Sequence, residues 1–146
     1  MLFNQLSDVD GYLNNGWNEI GGYVARADDV KGFSSYDDMI EALRLDYLDG
    51  SGARAFPDGG EGYAVIRYTS EFTEEMDIPY GEIFGGSNVD GYPCILNGFT
   101  GSDINIIPEW KFADRLKPKE GAELIEIING KETIVGIFDG KKFVRP

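Results

Sequence analysis

Two short turns near the C-terminus limit what this chain can fold into more than any other feature. Asn129-Gly130 separates the runs Glu123–Ile128 and Glu132–Phe138, and Asp139-Gly140 separates the second run from Lys142–Val144. Asn-Gly and Asp-Gly supply the positive φ angles that a two-residue hairpin turn needs. The last third therefore reads as an antiparallel β-meander.

Other strands are read upstream. In Gly62 to Thr69, Ala64, Ile66 and Tyr68 fall on one face and Tyr63, Val65 and Arg67 on the other. Ile20 to Ala25 is a strand candidate weakened by Gly21-Gly22, and Cys94–Asn97 and Ile104–Ile107 are read as strands. One main helix is expected over residues 36–48. Ser35 is its N-cap, Asp37 and Asp38 sit in its first turn, and Tyr36, Met39, Ile40, Leu43 and Tyr47 recur at helical spacing. Residues 3–18 read as a short helical or irregular entry, and 49–62 as a glycine-rich loop. The expectation is one α+β domain over residues 1–146: a mostly antiparallel twisted sheet of roughly six to eight strands with the helix packed on it. Its core should include Ile40, Leu43, Val65, Ile66, Ile106, Leu124, Ile127 and Ile137.

Charge and cysteine content narrow the chemistry. The chain carries 26 acidic and 13 basic residues, a net charge of −13. Such a surface repels nucleic acid and anionic membrane and attracts a basic partner. No stretch approaches the length of a membrane-spanning apolar helix, and the opening residues lack the basic-then-apolar pattern of a signal peptide. A soluble protein is expected, either cytoplasmic or delivered as part of a longer secreted protein. There is no histidine, so a Ser-His-Asp triad and a histidine-ligated zinc are excluded. The single cysteine, Cys94, cannot form an intramolecular disulfide and has no histidine to activate it. Asp8-Val9-Asp10-Gly11 begins like a calcium loop, but the later oxygen ligands do not follow. No metal is expected, and acid–base work falls to carboxylates, Tyr, Lys or the substrate.

The stretch from Gly91 to Trp110 stands out for glycine and hydroxyl chemistry inside an apolar run, in Asn97-Gly98-Phe99-Thr100-Gly101-Ser102. Glycine permits close approach of backbone to a ligand. Arg67 precedes this element on a strand. Glu109 beside Trp110 follows it, and then Glu123 and Glu126.

In this order the chain resembles the small bacterial ADP-ribosyltransferase toxin domains of the arginine/serine/glutamate class. The resemblance covers roughly residues 62–128. It implies NAD as substrate, with Arg67 holding the dinucleotide phosphates through its planar guanidinium. It implies Thr100 and Ser102 as the hydroxyl strand, and Phe99 or Trp110 stacking on nicotinamide. Glu109 or Glu126 would be the catalytic carboxylate, stabilising the positive sugar as nicotinamide leaves, an electrostatic task that needs no histidine. Phe-Thr-Gly-Ser stands where the family usually has Ser-Thr-Ser, and Glu123-Leu124-Ile125-Glu126 where it has Glu-x-Glu or Gln-x-Glu. The function implied is ADP-ribosyl transfer to a protein acceptor, or NAD cleavage. The alternative comes from the charge: an acidic immunity or inhibitor-type protein that neutralises a basic partner.

Overall fold

A computed structural model describes residues 1–33, 35–48, 51–68, 76–86, 96–112 and 114–146. Its largest unit is a five-stranded antiparallel sheet in the order β1 (Leu2–Asn4), β3 (Gly62–Arg67), β6 (Glu123–Ile128), β7 (Lys131–Phe138), β8 (Phe143–Val144). A three-stranded antiparallel sheet places β5 (Trp110–Phe112) between β2 (Tyr23–Val24) and β4 (Met76–Asp77). Among the described residues two α-helices, α1 (Asp8–Asn14) and α2 (Tyr36–Leu43), complete the α+β architecture. Among the described residues no helix is long and apolar enough to cross a membrane.

The meander forms with its first turn at Asn129-Gly130 as expected, but the second is longer than a two-residue turn. Phe138 pairs with Phe143, so residues 139–142 lie between β7 and β8 and the last strand starts at Phe143 rather than Lys142. Asn129 and Gly130 both take positive φ between β6 and β7. At the second turn the Asp139 carboxylate accepts the backbone N–H groups of Lys141 and Lys142 at 2.8 and 2.9 Å. Those bonds to Lys142 and Lys141 favour the ionised carboxylate and lower its pKa. A β-bulge falls between Leu124 and Ile125: Leu124 faces Gly136 and Ile125 faces Ile134, so Val135 is the extra residue. β8 pairs only with Ile137 and Phe138, so the outer side of β7 from Lys131 to Ile134 meets no strand among the described residues.

Alternation along β3 separates two apolar layers. Ala64 and Ile66 pack with Leu2, Tyr12, Leu124, Phe138 and Phe143, with Tyr68 against them. Tyr63 and Val65 pack with α2, Phe56, Ile125 and Ile127. Strands buried on both faces read as nearly continuous apolar runs, which is the pattern of β3 and β6. Of the expected core, Ile40, Leu43, Val65, Ile66, Leu124 and Ile127 are buried, while Ile137 is half-buried.

Three other expectations change. Helix α2 stops at Leu43 rather than continuing to residue 48. Arg44 turns left-handed at φ 51°, and Leu45 N–H closes on Ile40 O. The stop is chemical: carbonyls at the end of a helix lack internal partners, and the Thr100 hydroxyl takes that of Ala42 at 2.7 Å. Second, Ile104–Ile107 is not a strand. Side-chain acceptors gather the N–H groups of residues 103–105 instead. Third, Ile106 is 82% exposed and Ile104 78%, so Ile106 leaves the core. Asn97 makes an isolated bridge to Tyr80. The rest of the expected strand over 94–97, with Cys94, lies outside the described residues apart from Leu96, as do Thr69 and Ser70.

Candidate active site

β1 pairs with β3 on one side and with no other strand among the described residues. On its other side the chain returns through Ala25, which exchanges backbone hydrogen bonds with Met1. Beyond that contact β1 and β2 bound a cleft of about 610 Å³, within the range of small-molecule sites. Leu2, Phe3 and Asn4 form one wall, and Gly21 to Ala25 another. The end of α2 contributes Leu43 to Leu45, and Thr100 and Glu109 enter from the segment before β5.

Glu109 arrives there through a closed loop. Phe99 and Pro108 form a bridge, with Glu109 N–H donating to Gly98 O at 2.9 Å and Thr100 N–H to Ile107 O at 3.1 Å. Gly98 sits at φ +87°, and a Cβ there would lie 2.9 Å from Ile78 Cγ2. Only glycine closes the loop at that point without strain. The Glu109 atom Oε2 is buried and has no hydrogen-bond partner among the described residues. Burial pushes its pKa up to about 7, because desolvation disfavours the charged form.

The other titratable and charged groups of the cleft are Asp8, Tyr12, Tyr23, Arg44, Tyr47 and Arg115. Arg44 is committed: its Nε donates to Asp46 at 3.0 Å and its Nη1 to Gly101 O at 2.9 Å. Arg115 is exposed and makes no ion pair among the described residues. Its stem crosses Gly21, where an added Cβ would lie 2.9 Å from Arg115 Cγ. Burial raises the pKa of Tyr12, and nearby Arg115 opposes the rise. Trp17 meets Tyr12 edge-on at 5.4 Å between ring centroids, and both rings line the cleft.

The residues named from sequence do not converge. Glu109 and Thr100 share the cleft, but the Thr100 hydroxyl is buried and occupied by Ala42 O. The Ser102 hydroxyl donates to Glu41 Oε1 outside the cleft lining. Arg67 lines a different cleft with Tyr63, Lys31 and Glu132, and its Nε is 3.1 Å from Glu123 Oε1. Glu126 lines a third, beside Val9, Leu13 and Arg145. The Phe99 ring is partly exposed and lines none of these clefts. Trp110 packs on the Ile66 layer, and its Nε1 is buried without a partner among the described residues. Sequence reasoning missed Tyr12, Trp17 and Arg115; the Gly21-Gly22 pair was the visible signal for a close approach on that wall.

No protein-family model, curated protein or solved structure matches this chain.

Proposed function

We propose that the Glu109 cleft binds NAD and cleaves its bond between nicotinamide and ribose, passing ADP-ribose to water or to an acceptor. The observation that carries this reading is the unpartnered carboxylate oxygen of Glu109 inside an aromatic-walled cleft. Nicotinamide leaves with the electrons of the broken bond, so positive charge develops on the ribose. A carboxylate fixed in a low-dielectric cleft stabilises that charge more than it stabilises the ground state. Glu109 has the spare oxygen for the task, and the cationic nicotinamide ring of bound NAD favours its ionised form. Trp17 is half-exposed on the cleft and offers aromatic surface for a flat cation, with the buried Tyr12 ring packed against it. Arg115 takes the phosphate role that the family resemblance implies for Arg67, because it is the arginine on the Glu109 cleft without an ion pair among the described residues. Glu126 has no part in this arrangement.

The test is nicotinamide release from NAD by the wild-type protein and by Glu109→Gln. Release that disappears in the variant, with the fold intact, supports the assignment. No release, even with a cell lysate supplying acceptors, would turn the weight to the acidic binding protein. A pull-down for a basic partner at low and high salt would then follow, since such binding weakens as salt screens it.

A further inference from the structure

Glu41 lies in the last turn of α2, on a part of the surface that its own helix does not explain. Its Oε1 accepts the Ser102 hydroxyl, Asp103 N–H at 3.0 Å and Ile104 N–H at 3.2 Å. Ser102 Oγ in turn accepts Ile104 N–H at 3.2 Å and Asn105 N–H at 3.0 Å. Two further bonds fall beside this knot: Thr100 Oγ1 to Ala42 O, and Arg44 Nη1 to Gly101 O. The tip of the loop is thus tied to the end of α2, while its base is closed by the Gly98–Glu109 bond. Charge-assisted bonds to backbone N–H groups are the stronger kind. Their separation from Glu41 by 61 to 63 residues makes this tie a tertiary clamp. The loop tip itself is apolar and exposed at Ile104 and Ile106, so packing of those two side chains does not hold it.

We propose that Glu41 is a positioning residue for Glu109: by clamping the loop tip to α2 it fixes the cleft wall from which the Glu109 carboxyl enters. The role in turnover rests on the NAD reading; the placement of Glu109 does not. Without Glu41 the loop keeps only the Thr100–Ala42 and Arg44–Gly101 ties to the end of α2, so its tip loosens, more water reaches Glu109, and the carboxyl loses part of its desolvated setting. The other titratable and charged groups lining the cleft are Asp8, Tyr12, Tyr23, Arg44, Tyr47 and Arg115, of which Arg44 is itself bonded to the loop at Gly101 O.

The experiment is a carbon-13 NMR titration of the Glu109 side-chain carboxyl, assigned by Glu109→Gln, in wild type, Glu41→Gln and Glu41→Ala. The titration needs no NAD. In wild type the midpoint is expected near the raised value of about 7. Glu41→Gln keeps an acceptor oxygen in place and should retain that midpoint. Glu41→Ala should move it down toward the ordinary carboxyl range. If Glu41→Ala does not fold, Ser102→Ala removes one leg of the same knot and should move the midpoint in the same direction. An unmoved midpoint in folded Glu41→Ala, or in Ser102→Ala where that substitutes for it, overturns the proposal. Where wild type releases nicotinamide, Glu41→Ala should lower kcat about tenfold with KM little changed, the sign of lost orientation at the reacting centre. A protein that releases none loses the NAD reading, while the titration still decides whether Glu41 positions Glu109.

Discussion

Arg67 and Glu123 stand opposite one another on β3 and β6, with 3.1 Å between Nε and Oε1. Glu132 adds a longer contact at 3.9 Å. The guanidinium is therefore engaged by carboxylates on the face of the sheet that carries Tyr63 and Val65. The pair is about one third exposed on each side, so solvent screens it. Arg67→Ala is expected to cost about 0.5–1 kcal/mol of stability and to leave nicotinamide release intact. A large rise in KM for NAD in that variant would contradict the placement of the phosphate site at Arg115.

Gly21→Ala separates the cleft from the fold. The new Cβ would press on Arg115 Cγ, the stem of a flexible side chain, with the nearest Arg115 backbone atom at 3.5 Å. The unfolding midpoint should change little while KM for NAD rises. Equal KM values in wild type and variant would remove Arg115 from the proposed phosphate role.

Thr100→Val keeps the shape of a buried side chain and deletes its hydroxyl. The Ala42 carbonyl then loses a partner at the end of α2. Leaving such a group unpaired costs about 1–3 kcal/mol. Denaturant unfolding reads the loss, and a change below about 0.5 kcal/mol would show that another group satisfies the carbonyl.

Glu109 gives two pH signatures. Its carboxyl pKa is raised from 4.5 to about 7 in the fold. Between those values the folded state binds more protons than the unfolded state, so this group makes stability fall as pH rises from about 4.5 to about 7. The loss is on the order of 1–2 kcal/mol after allowance for partial exposure. Glu109→Gln should flatten that slope and stabilise the protein above pH 7. Nicotinamide release, which uses the ionised form, should instead rise with pH through about 7. A pH-independent rate over that range would argue against Glu109 as the carboxylate in the reaction.

What the sequence discloses follows from the range of the forces involved. The meander and β3 are local facts: alternation and turn chemistry set them, and Asn129-Gly130 is enough to register β6 against β7. Alternation also placed Arg67 on the Tyr63–Val65 face. The loop from Gly98 to Glu109 is not local. Ile104-Asn105-Ile106-Ile107 has the apolar content of a strand, yet hydrogen bonds to Glu41 fold its start into a turn. Nothing near either partner announces the other. The same reason hid Arg115, whose relation to Glu109 exists only after β2 and β5 pair.

The outer margin of β7 has a consequence for association between chains. From Lys131 to Ile134 the outer side of β7 meets no strand among the described residues, and such a margin is a template that a second extended chain could extend. Lys131 and Glu132 stand at the start of that margin and are exposed, and each would have to give up solvent when another strand was added. Neutralising both would strip the charge from an edge that already carries Thr133, Ile134 and Val135. The turn that makes the meander so easy to read thus also sets two charged residues at the start of that margin.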